Sequence, residues 1–160
     1  MKHINLIIIA LLFTGSVCLA QVKKHSIIGV WQVGTAQMAD AWLANYRFYK
    51  NGTFKYTLNE YDDLSRIRQA KGTFKLKGDT LTLIIKSRIE EVGGDLVQGS
   101  PGFQAEELVL DDTKTVAVKQ KNVEPIHFVL EWHTGKSSIS FQIQNNRYYI
   151  VSRDPNFEDN

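Results

Sequence analysis

The amino-acid sequence predicts an all-β protein, an antiparallel up-and-down β-barrel of about 8–10 strands. Short segments that alternate apolar and polar residues follow one another from Ser26 onward, separated by Gly, Asn and Asp. No helical periodicity extends beyond about two turns. Each predicted hairpin has one apolar and one polar face, and a closed sheet buries the apolar faces together and leaves no free edge.

The first segment, residues 1–20, has the pattern of a secretory signal peptide. A basic start is followed by an apolar run from Ile4 to Phe13, broken only by Asn5, and then by small residues. The run is about half of the ~20 residues that a membrane span needs. We therefore predict no membrane span and one exported domain, residues 21–160, in the periplasm or outside the cell.

The single cysteine, Cys18, leaves two interpretations open. Bacterial lipoprotein signals place a small residue immediately before the cysteine that becomes lipid-anchored, and here that residue is Val17. Cleavage after Ala20 fits better, so soluble export is favoured over a lipid anchor. The mature chain would then contain no disulfide and no thiol chemistry.

Charge and composition exclude several classes of function. The 160 residues carry 19 Lys+Arg against 17 Asp+Glu, a formal net charge of +2. So small a charge argues against nucleic acid as a partner, and against an anionic membrane. A chain with 43% hydrophobic and 11% aromatic residues is also too apolar for disorder.

Strands are expected wherever the alternation of apolar and polar residues is clear. The predicted strands cover residues 26–34, 42–50, 53–61, 67–77, 80–90, 105–111, 114–121, 125–133, 137–144 and 147–153.

The register of the first hairpin follows from how its faces segregate. A three-residue loop ending in a left-handed Gly52 pairs Phe48 with Phe54 and Tyr46 with Tyr56. A two-residue Asn-Gly turn would instead place an arginine among the aromatic residues. Because a slip of one residue inverts every side chain, we predict the longer loop.

Two further hairpins are predicted to turn on two residues, at Gly78-Asp79 and at Asn145-Asn146. Both turns gather apolar side chains on one face of the ribbon. Residues 91–104 are expected to be irregular, because their glycines are too many for a strand interior. They could form a mobile flap over the barrel mouth or simply a long surface connection.

Three short motifs carry a resemblance to a known family. They are Gly29-Val30-Trp31, the aromatic tract 48–56 around Asn51-Gly52, and Gly72-Thr73-Phe74 leading into the hairpin at 78–83. On these residues the chain resembles the lipocalin-like (calycin) barrels, particularly small exported bacterial ones.

The resemblance implies reversible binding of a small, mostly apolar molecule inside the barrel. It also implies that Trp31, after Gly29 in the Gly-x-Trp motif, closes the base of the barrel. In that family an arginine near the last strand covers the tryptophan, a role that Arg153 matches best here, with Arg147 as the alternative.

Aromatic residues predominate on the predicted inward face, where they could either fill the core or contact a ligand. Counting back from Phe74 also turns Arg66 and Arg68 inward, unless a bulge at Gly72 reverses them. An inward arginine would bind a ligand carboxylate or phosphate. The predicted ligand-binding residues are Trp42, Tyr46, Tyr56, Arg68, Phe74, Phe128, Trp132 and Tyr148.

No motif for catalysis is present. Ser100 lacks the spacing of a nucleophile elbow, and the acidic doublets point to opposite faces of their strands. Glu131 and His133 share a face, but it is the polar one, so no metal site and no cofactor is predicted. The leading hypothesis is a non-enzymatic carrier of a small hydrophobic or amphipathic ligand. The alternative is an interaction or inhibitor module, a side-chain-filled barrel that binds a partner protein of the cell envelope.

Overall fold

The computed structural model describes residues 26–37, 42–59, 62, 64–98, 108–136 and 138–157. The predicted signal segment with Cys18 lies outside these residues. The described residues form β1 (Gly29–Val33), β2 (Asn45–Phe48), β3 (Thr53–Thr57), β4 (Ile67–Lys77), β5 (Thr80–Gln98), β6 (Leu108–Lys119), β7 (Ile126–Val129), β8 (Glu131–Thr134), β9 (Ile139–Ile143) and β10 (Asn146–Ser152). Within this part of the chain there is no helix of the length and apolarity that crossing a membrane requires.

The strands form one antiparallel sheet in the order β6-β5-β4-β3-β2-β1-β10-β9-β8, with β7 paired to β5 beside this path. Strands that follow one another along the chain are mostly neighbours in the sheet, and β10 returns to pair with β1. The predicted all-β antiparallel class is therefore confirmed. The path of paired strands does not close on itself, so the predicted barrel is not confirmed.

A single residue connects the strand that pairs with β5 to the strand that pairs with β9. Leu130 separates β7, which pairs with β5, from β8, which pairs with β9. Its side chain is buried, and its N–H donates to the carbonyl oxygen of Asp79 at 2.8 Å. The chain thus passes from a neighbour of β5 to a neighbour of β9 within one residue.

The first two hairpins have the predicted registers. In the β2–β3 hairpin Phe48 faces Phe54, and Gly52 has a φ of 79°, as the three-residue loop requires. In the β4–β5 hairpin Lys77 pairs with Thr80 around the two-residue turn. Both registers were correctly decided by the segregation of apolar side chains.

The last hairpin turns one residue earlier than predicted. Ile143 pairs with Asn146, so the turn residues are Gln144 and Asn145 rather than two asparagines. Gln144 takes the left-handed conformation, with a φ of 54°, and its carbonyl accepts a hydrogen bond from Nε2 of Gln142 at 2.8 Å. The pairing moves by two residues, so the apolar face is the predicted one.

The prediction of an irregular stretch is wrong for residues 91–98, which continue β5 and pair with β6. Gly93 and Gly94 are both left-handed, and on the facing strand Asp112 also has a positive φ. The ladder accommodates this local distortion, so neither the glycines nor the expected break near residue 112 ends a strand. The remaining part of that stretch, residues 99–104, lies outside the described residues.

The core occupies one face of the sheet and is mostly aromatic. Its buried members include residues from six strands as well as Ile27 and Leu130; they are Ile27, Trp31, Phe48, Phe54, Leu81, Leu83, Leu130, Phe141, Ile143 and Tyr148. Burial of this apolar surface is the main favourable contribution to folding.

Candidate functional site

One end of the core is filled around Trp31, which is completely buried. Its indole N–H donates to the carbonyl oxygen of Ile27 at 2.7 Å, which satisfies the one polar group of the ring. The ring centroids of Phe141 and Trp132 lie 4.7 and 5.8 Å from that of Trp31. This end of the core is therefore closely packed with aromatic side chains.

Gly29 allows β1 to approach β10 closely beside Trp31. Its φ is 130°, and a Cβ atom there would overlap the carbonyl oxygen of Ser152. On β10 the register shifts by one residue at the same level, between the pairs of Val30 and Trp31. The glycine of the Gly-x-Trp motif thus has a steric reason in this chain.

Arg153 covers the outer side of the same tryptophan. Its guanidinium carbon lies 5.6 Å from the centroid of the Trp31 ring, and its Nη1 donates to the carbonyl oxygen of Ser26 at 2.8 Å. Arg147, the alternative, instead places Nη2 at 3.3 Å from Nε2 of His133. The arginine over Trp31 is therefore Arg153.

The other end of the core-facing side opens into a cavity of about 610 Å³, which we call the mouth pocket. Its walls are largely apolar, with two tyrosines and two arginines among them. It is lined by Tyr46, Tyr56, Leu58, Ser65, Arg66, Ile67, Ala70, Ile85 and Arg88. Cavities of this size and character commonly hold small organic molecules.

A β-bulge in β5 determines which side chains reach the mouth pocket. Ile85 pairs with Gly72 and Ser87 with Lys71, so Lys86 is an extra residue in the ladder. Beyond it the alternation of faces is reversed, and Arg88 turns to the same side as Ile85. Gly72 has no side chain at the one place where a Cβ atom would overlap the carbonyl oxygen of Ile84.

Three tyrosines form the inner wall between the pocket and the filled end. The ring centroid of Tyr46 lies 4.4 Å from that of Tyr56 and 5.2 Å from that of Tyr148. A hydrogen bond links the side chains of Tyr148 and Tyr56. Burial is the largest effect in each case and holds the pKa of all three hydroxyls above the ordinary value. All three are neutral hydrogen-bonding groups at physiological pH.

Two arginines give the mouth pocket a positive rim. Arg88 Nη2 lies 2.5 Å from Oε1 of Glu90, and with the Gln120 amide oxygen turned toward Arg88, that oxygen accepts from Nε and Nη2 at 3.3 and 3.2 Å. Arg66 Nη1 donates to the carbonyl oxygen of Gly93 at 2.6 Å. Carbonyl contacts do not neutralise a guanidinium charge, so the two arginines together outweigh the one carboxylate beside them.

Arg68, the predicted anchor for a ligand anion, does not line this pocket. The β4 ladder has its own irregularity between Ile67 and Gln69, which makes Arg68 the extra residue. Its Nη1 donates to the carbonyl oxygen of Asp62 at 2.8 Å, and its Nε lies 3.5 Å from Oε1 of Glu91. The alternative of a bulge at Gly72 corresponds to the register shift between Lys71 and Gly72, where Lys86 is the extra residue of β5, and a second irregularity lies at Arg68 in β4.

Glu91 ties three strands together on the opposite face. Its carboxylate accepts hydrogen bonds from Thr113 Oγ1 at 2.6 Å and Thr115 Oγ1 at 3.2 Å on β6, and it contacts Arg68 on β4. These contacts, led by the bond from Thr113, lower the pKa of the Glu91 carboxyl. Glu91 is therefore ionised and structural at neutral pH.

Of the other predicted ligand residues, only three lie together at the mouth pocket. Tyr46 and Tyr56 form part of its wall, and Tyr148 lies behind them. Phe74, Phe128 and Trp132 are partly buried and pack against the core at or toward its filled end. Trp42 lies apart from them, because the guanidinium of Arg47 stacks over its ring at 5.0 Å on the outer face of β2. Arg47 also binds the backbone of the C-terminal segment through Phe157, at 2.7 Å.

The sequence did not clearly indicate that Arg66 and Arg88 line the same pocket. Regular alternation from Leu83 and Ile85 predicts Ser87 and Ile89 on this face, and it fails because of the extra residue at Lys86. The available signal was a break in pattern. Ile84 and Ile85 are two adjacent apolar residues before a lysine, and Ile85 lies opposite Gly72.

In the described part of the chain, no group of three or more His, Cys, Asp or Glu side chains is arranged to hold a metal ion. Comparisons of the chain with protein-family models, with curated proteins and with solved structures find no match.

Proposed function

We propose that this protein is an exported lipocalin-like carrier that binds one small amphipathic molecule in the mouth pocket, without catalysis. The observation that carries the proposal is the cavity of about 610 Å³, apolar in most of its wall, next to a solidly packed aromatic base. A binding protein of this kind needs such a combination, because the packed base provides stability and the open end provides space.

The walls of the pocket suit the apolar part of such a ligand. Ala70 and Ile85 line its floor beside the rings of Tyr46 and Tyr56. Transfer of apolar ligand surface from water to these walls would contribute roughly 25 cal/mol for each Å² removed from water.

The polar groups suit an anionic or strongly hydrogen-bonding head. Arg66 and Arg88 at the rim favour a carboxylate, sulfonate or phosphate, and a guanidinium can bind such groups with two parallel hydrogen bonds. The hydroxyl of Tyr56 on the inner wall would fix the orientation of a second polar group. The role expected of Arg68 passes to these two arginines.

The sheet is proposed to act as a closed barrel around this ligand. The step from β7 to β8 through Leu130 places a neighbour of β5 one residue away from a neighbour of β9. Eight strands would then encircle the core, with the residues 91–98 and 108–115 projecting beyond the ring. The Arg153–Trp31 contact and the close approach at Gly29 support a lipocalin-like base.

The test is dye binding to the wild type and to a variant whose pocket is filled. Anilinonaphthalene sulfonate is a suitable probe, because it combines aromatic rings with a sulfonate. We expect saturable binding of one dye per chain, and we expect Ile85→Trp to weaken that binding at least about tenfold by occupying the space of the ligand.

The matched control is Ile84→Trp, which adds the same bulk to the neighbouring residue on the opposite face. It should bind the dye as the wild type does, and circular dichroism should show both variants folded. Equal dye affinity of Ile85→Trp and the wild type would refute binding in the mouth pocket. Native mass spectrometry of the protein purified from its own host would then identify the natural ligand as a stoichiometric mass increment.

An interaction module is the second candidate, and one observation favours it. Apolar side chains of β5 and β6 are exposed, with Leu96 at 58% and Leu108 at 51% of their full accessibility. Exposed apolar surface of this kind is typical of contact with another protein. If this function were the correct one, Ile85→Trp would leave it intact, since the pocket plays no part.

A further inference from the structure

The hairpin of β5 and β6 extends well beyond the rest of the sheet. Glu90 is the last residue of β5 in the ladder with β4, and the N–H of Glu91 still donates to the carbonyl oxygen of Arg66 at 2.7 Å. Beyond this bond, the described strand that pairs with residues 91–98 of β5 is β6, through residues 108–115. We call this two-stranded ribbon the arm. An isolated two-stranded ribbon is marginally stable in water and needs something to pack against.

The arm exposes apolar side chains on both of its faces. Leu96 and Leu108 project from one face and Val97 from the other, and Val92 is exposed nearer the sheet. A ribbon that only extended into solvent would have polar residues on at least one face. The exposed apolar side chains on both faces of the arm therefore indicate contact with another surface.

The free edge of β6 is the feature most open to such contact. β6 is the first strand in the sheet order and, among the described strands, pairs only with β5. Its twelve residues include no proline, and they present a row of backbone N–H and C=O groups along this edge, interrupted at Asp112, where φ is 54°. Such an edge is a template for antiparallel pairing with another strand.

The sequence of β6 is complementary to itself when the twofold axis passes through Thr113. Only alternate residues direct their backbone groups to the free edge, so twofold pairing must join residues of the same parity. With the axis at Thr113, Asp112 of each copy faces Lys114 of the other. The same register joins the apolar pairs Leu108–Val118 and Leu110–Val116 on one face and Val109–Ala117 on the other.

The neighbouring registers do not have this complementarity. An axis at Asp112 would place two carboxylates opposite each other, and an axis at Lys114 would place two ammonium groups opposite each other. Within the chain, Lys114 faces Val92 on β5, so its charge has no counterpart across that pair. In the register with its axis at Thr113, the opposite charges of Asp112 and Lys114 would face each other across the two chains.

We propose that two copies of this chain associate through the free edges of β6, antiparallel about a twofold axis at Thr113. The arm of each copy then lies beside the arm of the other, and the two sheets become continuous. The proposal concerns a surface separate from the mouth pocket, so it stands or falls independently of ligand binding.

A charge exchange tests the register directly. In sedimentation equilibrium we expect a dimer for the wild type and a dissociation constant at least about tenfold higher for Asp112→Lys and for Lys114→Asp, because each creates two like-charged pairs. The double variant Asp112→Lys/Lys114→Asp restores both opposite-charge pairs and should recover the wild-type constant. Asp95→Lys, the same charge change on β5 of the arm, should have little effect.

A cross-link provides a second test that does not depend on charge. In a Cys18→Ser background, Thr113→Cys places two thiols at the axis, and oxidation should yield a covalent dimer, whereas Lys75→Cys should not. A wild-type monomer at all concentrations, unchanged association of the single charge variants, or failure of the double variant to recover would each overturn the proposal. Association with a different protein and not with a second copy would overturn it as well.

Discussion

Three tyrosines place polar hydroxyl groups on the core-facing side of this sheet without placing charge there. Tyr46, Tyr56 and Tyr148 lie in ring contact, and one hydrogen bond connects the hydroxyls of the last two. Burial favours the neutral form of each, which raises its pKa. The inner wall of the mouth pocket can therefore donate and accept hydrogen bonds without the energetic cost of a buried charge.

The raised tyrosine pKa values predict a loss of stability at alkaline pH. The unfolded chain releases tyrosine protons near pH ~10, before the folded chain does, so the stabilising contribution is complete below that pH and is lost above it. Denaturant titrations should show the free energy of unfolding falling above pH ~10, and Tyr148→Phe should reduce that slope by about 1.4 kcal/mol per pH unit. An identical slope in the variant and the wild type would contradict the burial of this hydroxyl.

At the scale of single residues, the sequence predicted the positions of the tyrosines better than those of the arginines. Regular alternation in β2 and β3 placed Tyr46 and Tyr56 on the core side, and no bulge interrupts those strands. Arg68 and Arg88 lie in or beyond bulges, where counting by twos fails. A bulge depends on the fit between two backbones, which one strand's sequence does not specify.

Among the elements, the β4–β5 ribbon shapes the pocket through its irregular ladder. Lys86 is the extra residue, and Gly72 provides the space opposite the carbonyl oxygen of Ile84. Glycine is thus required at positions 72 and 29 by the close approach of a neighbouring backbone rather than by a turn.

Replacing that glycine should distort the ribbon. In Gly72→Ala the new methyl group overlaps backbone rather than a flexible side chain, so the strands must separate, at a cost of about 3 kcal/mol. Chemical denaturation measures this loss. Gly135→Ala is the control, because its Cβ atom would lie 3.4 Å from the nearest atom and its backbone needs no positive φ. Equal losses in the two variants would show that the overlap at Gly72 is not what constrains the ribbon.

The elements themselves were predictable to different degrees. Turn chemistry and face segregation gave two hairpin registers correctly, and the third was wrong by one turn residue because Gln144, not an asparagine, took the left-handed conformation. The strand character of residues 91–98 was not predictable locally. Gly93 and Gly94 disfavour a strand, and the pairing with β6 outweighs that preference.

For the whole molecule, the short connection between β7 and β8 decides how the sheet is organised. Leu130 is only 2% exposed, whereas the preceding Val129 is 71% exposed. The buried side chain lies where the chain leaves the side of β5 and reaches the side of β9. Sequence alternation indicated that Phe128, Leu130 and Trp132 share a face, but it could not show that the strand divides between two neighbours.

A pair of alanine variants tests whether this connection is part of the core. Leu130→Ala should reduce the free energy of unfolding by about 2–5 kcal/mol, since it removes a buried side chain and leaves a cavity. Val129→Ala should change it by less than about 0.5 kcal/mol, because its side chain is largely in solvent. Thermal and denaturant unfolding measure both. A small effect of Leu130→Ala would place the connection outside the cooperative core and weaken the proposal of a closed ring.

The single extra residue in β5 also bears on whether binding preference could change during evolution. Deletion of one codon, that of Lys86, would remove the bulge and leave Ser87 facing away from the pocket and Arg88 on the side of Ile85, as they are now. The rim would keep its ionic character although the strand became one residue shorter. Homologous chains that lack this residue would accordingly be expected to retain a preference for anionic ligands.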